Sequence, residues 1–266
     1  MADRYTSQLA LTLDAPVEDV GAVVSGAVAA GDLDRATPVH GSDATAAQEV
    51  HWGGRMQRAV VRAVRGDGDT PLLRIETYVG NDGVRTGMQR QAKLLQALSR
   101  RLRGRVTGVR DLSAMASRDE AWMNRLAVGA VEQGDAISTV ADGEGLVWVR
   151  THGAARFDVP DLELYGLHAD AVTSAVDALE HVHGQLLAGG LKASLSLPDG
   201  TPVYLVPVLE AWQHVSLDWP GVGRAGQERG IGLDGPRASL SVLRRPRFGR
   251  YRRDLAGVIR RLERVT

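Results

Sequence analysis

Residues 7–13, SQLALTL, read as a first strand. A helix is predicted next. Pro16 suits its first turn and Glu18 its positive end. Val17, Val20, Val24, Ala27 and Val28 form one stripe that Gly31 can end. Residues 32–46 are small and polar and read as a loop. Residues 47–52 and 55–64 read as strands about Gly53 and Gly54, and residues 71–80 as a third. Met88, Ala92, Leu95, Leu98 and Leu102 share one face of a helix over 85–104, and residues 105–113 close with a strand. The order β-α-β-β-β-α-β predicts an antiparallel sheet with both helices on one face, a ferredoxin-like two-layer sandwich with an added strand.

A second unit is predicted from residue 114. Ser117 with Glu120 three residues later reads as a capping box, and Trp122, Leu126, Ala130 and Val131 carry a helix to Gly134. Strands follow at 136–140 and 145–150. Then comes a long helix with the stripe Val172, Ala175, Val176, Leu179, Val182 and Leu186. Residues 192–208 read as a hairpin about Pro198, Asp199 and Gly200. Residues 219–236 are glycine-rich and read as a surface loop, 237–243 as a strand. A closing helix carries Tyr251, Leu255, Val258, Ile259 and Leu262. The fold class expected is α+β, two α/β sandwich units over residues 1–113 and 114–266.

Composition narrows the chemistry. The chain has 266 residues, 44% of them hydrophobic, enough for real cores, but only 5% aromatic, so Val, Leu and Ala must fill them. Lys+Arg and Asp+Glu are equal at 32 each, so net charge argues for neither a nucleic-acid nor a membrane partner. The wealth of Arg, Ala, Gly and Val is what high-GC bacterial genomes encode. Cysteine is absent, which removes disulfides, thiol catalysis, iron–sulfur clusters and Cys-ligated zinc. No signal peptide and no membrane span are indicated, and a cytoplasmic location is expected.

The densest polar chemistry is WVRTHGAARFDVPDLELYG, residues 148–166. Alternation places Val147 and Val149 on one face and Trp148 and Arg150 on the other. It does the same for Leu162 and Leu164 against Asp161, Glu163 and Tyr165. If the two strands pair, His152 sits in their connection with Arg150, Asp161 and Glu163 within reach. A histidine beside a carboxylate is the minimum for acid–base work. The other reading is a well-built turn in which His152 and Arg156 satisfy loop carbonyls and carboxylates. The nearest nucleophile is Thr151.

Trp148, Thr151, His152, Gly153, Arg156, Phe157, Pro160, Asp161, Leu162 and Glu163 resemble a W-[LV]-x-T-H-G-x-x-R-[FC]-x-x-P-[DE]-[LI]-E signature. It belongs to a bacterial domain family of unknown function. The resemblance extends over about residues 110–215 and includes the LPDGTPVYLVPV segment. It implies a family label and no activity.

Other motifs carry less. His181 and His183 stand two apart on a helix, about 200° around its axis, so they cannot share a metal ion, and His181 is expected to pair with Asp177. No other metal-ligand spacing occurs, and no metal or cofactor is expected. GVGRAGQERGIG, residues 221–232, lacks the leading strand and trailing Lys-Ser/Thr of a phosphate loop. Residues 243–266 hold nine arginines against two acids, a local excess hidden in the whole-chain balance. Arg252, Arg253, Arg260, Arg261 and Arg264 lie off the apolar stripe and, with Arg156, are the candidate partner-binding residues. Arg100, Arg101, Arg103 and Arg105 make a second basic cluster.

Two readings stand. In one, the protein is a non-enzymatic interaction or scaffold protein that binds a protein partner or itself, as a homodimer for instance. Nucleic acid is a weaker alternative, since Phe248 and Tyr251 are the only aromatics among those arginines. In the other, it is a hydrolase or transferase using His152 with Asp161 or Glu163.

Overall fold

The computed structural model describes residues 6–30, 33–39, 46–51, 58–78, 84–222, 237–244, 250 and 252–264. The chain divides into two compact units, Met1–Asp135 and Ala136–Thr266. Both combine helices with a sheet, so the α+β class holds.

The first unit runs β1 (Thr6–Leu13), α1 (Val20–Ala29), β2 (Arg35–Pro38), β3 (Ala47–His51), β4 (Arg58–Arg65), β5 (Pro71–Tyr78), α2 (Val84–Arg101), β6 (Val106–Asp111), β7 (Ala116–Arg118) and α3 (Glu120–Ala127). Its sheet order is β2-β3-β4-β5-β1-β6-β7, antiparallel at every junction. β1 lies inside the sheet, between β5 and β6, and is apolar on both faces: Leu9, Ala10 and Leu11 are all fully buried. In α2, Gln91 ties helix to strand, accepting from Ser7 Oγ at 2.8 Å and donating to the Ser7 carbonyl at 2.8 Å. Both polar atoms of the buried Gln91 amide are thereby paired.

Several local expectations need correction. α1 begins later than Pro16, because Asp19 is the N-cap, its carboxylate accepting from Ala22 N at 2.8 Å. β2 lies inside the segment read as a loop. α3 is capped by Asp119, not Ser117: Asp119 Oδ1 accepts from Trp122 N at 2.6 Å. α3 stops before Gly129 rather than at Gly134. Residues 114–135, expected to open the second unit, belong to the first. Gln96 donates to Asn124 and Gln89 to the Ala127 carbonyl, fastening α3 to α2. The Gly53–Gly54 turn lies outside the described residues.

A short helix, α4 (Gln133–Ala136), leads into the second unit: β8 (Ser138–Asp142), β9 (Leu146–His152), β10 (Asp161–His168), α5 (Val172–Gly189), β11 (Tyr204–Pro207), α6 (Val208–Ala211), β12 (Arg237–Arg244), β13 (Arg252–Asp254) and α7 (Leu255–Leu262). The strand order is β11-β12-β10-β9-β8, with β13 paired to β12. β10 and β12 are parallel and the other pairs antiparallel. The expected hairpin over 192–208 reduces to the Pro198–Gly200 turn with one bridge, Ser196 to Pro202, because β11 pairs with β12 instead. The arginine-rich tail starts as strand rather than helix. Its helix waits for Asp254, whose carboxylate accepts from Gly257 N at 2.9 Å. Most of the glycine-rich loop, residues 223–236, and Tyr251 lie outside the described residues.

One face of this second sheet is apolar. Val147 and Val149 of β9, Leu162, Leu164 and Leu167 of β10, and Ala238 and Leu240 of β12 pack against Ala175, Leu179, Val182 and Leu186 of α5 and Val258 and Leu262 of α7. That face is the unit's core. No helix among the described residues is long and apolar enough to cross a membrane.

Candidate functional site

The opposite face carries the polar chemistry. Strand alternation sends Trp148, Arg150 and His152 of β9 to it, with Asp161, Glu163 and Tyr165 of β10 and Arg237, Ser239 and Ser241 of β12. Register brings them side by side. Arg150 stands opposite Glu163, Glu163 beside Ser239, and Asp161 beside Arg237. Glu163 and His152 are both 0% exposed and Arg150 only 5%. This is a buried polar layer, unlike the solvated outer face common in antiparallel sheets.

Glu163 is its hub. Oε2 accepts from Trp148 Nε1 at 2.9 Å and from Tyr165 Oη at 2.6 Å, and Oε1 lies 2.6 Å from Arg237 Nε. The main chain is held too, Ser239 Oγ donating to the Glu163 carbonyl at 2.7 Å. Trp148 and Tyr165 stack with centroids 6.4 Å apart, and the Arg150 guanidinium lies 3.7 Å from the Trp148 ring centroid. The indole thus takes the Arg150 cation against its ring, with Arg237 at 5.9 Å, while its N–H serves the carboxylate. Burial raises the Glu163 carboxyl above its usual range against the opposing pull of Arg237 and the two donors. Burial, then the Glu163 charge and hydrogen bond, push the Tyr165 hydroxyl up as well, so it remains a donor.

His152 is not paired with a carboxylate. Its Nε2 accepts from Arg150 Nε at 3.0 Å, which assigns the imidazole proton to Nδ1. Among the described residues Nδ1 has no hydrogen-bond partner. Burial, with the charges of Arg150 and Arg237, lowers its pKa to about 3, so the ring is neutral near pH 7.

Asp161 works on the connection between the strands. Oδ1 accepts from Ala154 N at 3.0 Å and lies 3.5 Å from Thr151 Oγ1, which itself accepts from Leu162 N at 2.8 Å. Burial raises its pKa to about 7, opposed by the Ala154 N–H and Arg237. From α5, His183 Nε2 reaches the Pro160 carbonyl at 3.1 Å, and burial lowers its pKa to about 4. His183 is inside and His181 outside, where it meets Gln185 at 3.0 Å rather than Asp177. Arg156, expected on a binding surface, is only 3% exposed, a correction imposed by the turn Ala154–Phe157 that folds it inward.

A segment after α6 covers the aromatic end of this layer. Trp212 Nε1 donates to Tyr165 Oη at 3.1 Å, and Trp219 and Val222 pack on Trp148 and Tyr165. Two glycines permit that approach. At Gly166 (φ +67°) a Cβ would stand 2.5 Å from the Trp219 ring, and at Gly221 (φ +84°) it would overlap Trp148.

Arg237, Ser239, Trp212 and Trp219 escaped the sequence reading. One signal was available: RASLSVL alternates, with Arg237, Ser239 and Ser241 on one face and Ala238, Leu240 and Val242 on the other. Arg252, Arg253, Arg260, Arg261 and Arg264 are all exposed, as expected. Three lie near acids of their own unit: Arg253 is 2.9 Å from Glu210, Arg260 2.8 Å from Asp254 and Arg261 3.8 Å from Asp199. No family model, curated protein or solved structure matches the chain.

Proposed function

We propose that the protein is a non-enzymatic interaction protein that binds a macromolecular partner or a second copy of itself. The carrying observation is the closure of the polar layer. Glu163 is engaged by Trp148, Tyr165 and Arg237, Asp161 by the turn it holds, and His152 by Arg150. General acid–base work needs a titrating group within reach of substrate. The imidazole here is buried, is neutral down to about pH 3, and has Arg150 as its neighbour. The hydrolase or transferase reading, His152 with Asp161 or Glu163, gains nothing from this geometry. On the same grounds the W-x-x-T-H-G-x-x-R-F-x-x-P-D-L-E signature reads as a folding device: Trp148, Thr151, His152, Asp161 and Glu163 all build the layer or its turn.

The first unit is read as a ferredoxin-like sandwich. The order β6-β1-β5-β4, antiparallel throughout, with α1 after β1 and α2 between β5 and β6, supports this. The surface offered to a partner is the arginine face of β13 and α7. Guanidinium forks there suit carboxylates or phosphates.

Light scattering on the full chain across protein and salt concentration tests the reading, alongside a variant carrying Arg252→Glu and Arg264→Glu. A mass above the monomer's, or salt-sensitive binding to an acidic polypeptide that the variant loses, is the expected result. A monomer at every concentration that binds neither an acidic polypeptide nor nucleic acid at low salt overturns it.

A further inference from the structure

Exposed strand edges are templates for pairing, and proteins commonly blunt them with proline, charged side chains, lysine above all, or short length. Among the described residues the edges of this molecule can be compared directly. β2 has four residues and carries Arg35 at one end and Pro38 at the other. β7 has three and ends in Arg118. β11 ends in Pro207 and follows Pro202. β13 has three, two of them arginines.

β8 is the most lightly guarded of them. Its five residues, Ser138–Asp142, pair with β9 along their whole length and, among the described residues, with no other strand. It contains no proline and no basic residue, and its one charge, Asp142, lies at the end with a 59% exposed side chain, 3.9 Å from Arg150 Nη1 of β9. Thr139 and Val140 at the centre are β-branched.

We infer that β8 is a self-association edge, which pairs antiparallel with β8 of a second copy about a two-fold axis at Val140. This rests on the self-binding half of the function proposed above. The sequence of the strand is self-complementary in that register. Val140 meets its own copy, Thr139 meets Ala141, and Ser138 meets Asp142. No like charges face each other, and the aspartate meets a hydroxyl. The two-fold repeats each pair, as an isologous interface requires. The second-unit sheets of the two copies then become continuous, the two β8 strands joining in one antiparallel ladder.

Ser138 is the sensitive position, because a charge placed there faces Asp142 of the other copy twice per dimer. Sedimentation equilibrium on the full chain reads it. The unmodified protein is expected to show a reversible dimer. Ser138→Asp should weaken it and Ser138→Lys tighten it, each by roughly two- to thirtyfold in dissociation constant for two cross-strand pairs. Combining Ser138→Asp with Asp142→Lys makes an opposite-charge pair again and should tighten the dimer as Ser138→Lys does. Hydrogen exchange on the unmodified chain needs no variant: amides of residues 138–142 should gain protection as protein concentration rises. A monomer at all concentrations overturns both this inference and self-association. A dimer indifferent to both Ser138 substitutions, without concentration-dependent protection at β8, overturns the edge alone and leaves self-association standing.

Discussion

On one face of the second-unit sheet, Val149, Leu162, Leu164 and Leu240 are packed under α5 and α7; one residue along in the same strands, Trp148, Arg150, Glu163 and Arg237 are almost as dry. The two faces reach burial by different physics. Apolar packing is non-directional and tolerates any side chain of suitable volume. The polar face depends on directional partners, Glu163 on Trp148, Tyr165 and Arg237 and His152 Nε2 on Arg150, which offset the cost of desolvation. A volume error therefore costs the first face a cavity, whereas a missing partner leaves the second with an uncompensated charge.

The strongest way to break this comparison is Glu163→Ala. It strands Arg237 in the interior and should cost about 3–5 kcal/mol in urea unfolding. Replacing both members, Glu163→Leu with Arg237→Met, should cost far less. If the double variant is as damaged as the single, the ionic account of this face is wrong. Leu164→Ala, on the apolar face of the same strand, should cost about 3 kcal/mol through its cavity, with no rescue from any polar change.

Gly221→Ala comes next. It pushes a methyl group into Trp148 at a positive φ, and about 2 kcal/mol is expected. Near-UV circular dichroism should show the tryptophan environment loosen. A native spectrum and unchanged stability would mean that the covering segment is not seated on the layer.

pH gives the smallest and most diagnostic effect. A buried histidine with a lowered pKa binds its proton more readily when unfolded, so its contribution is complete above about 6.5 and is lost as pH falls. With folded values of about 3 and about 4, His152 and His183 both lose stability across the window below about 6.5. Asp161, raised to about 7, acts oppositely: its folded form favours the proton, and its contribution is lost as pH rises from about 3.8 through 7. His152→Asn should therefore flatten the acid limb, by about 1 kcal/mol between about pH 6 and 5. Equal slopes in both proteins would show that His152 is not held neutral by the fold.

Much of the polar face was legible. Alternation alone separated Trp148 and Arg150 from Val147 and Val149, and Asp161, Glu163 and Tyr165 from Leu162 and Leu164, because the pleat has a period of two. The partner of His152 was not legible. Pairing Arg150 with Glu163 turned the carboxylate to Trp148, Tyr165 and Arg237 and left the imidazole to Arg150. Arg237 lies far along the chain from Glu163, and only the parallel β10–β12 ladder brings them together. The arginine-rich end misled for a related reason. Its stripe is helical, but β12 draws residues 252–254 into a ladder before Asp254 can cap α7.

By itself, then, the sequence determined most of the periodic elements and the polar faces of β9 and β10, because these depend on local geometry and on side-chain direction. Tertiary structure decided that the polar face is buried, that Glu163 rather than His152 is its centre, and that β8 is left at an edge. Those outcomes turn on which strands lie side by side, and strand order follows from the joint burial of the whole unit, not from any local stretch of chain.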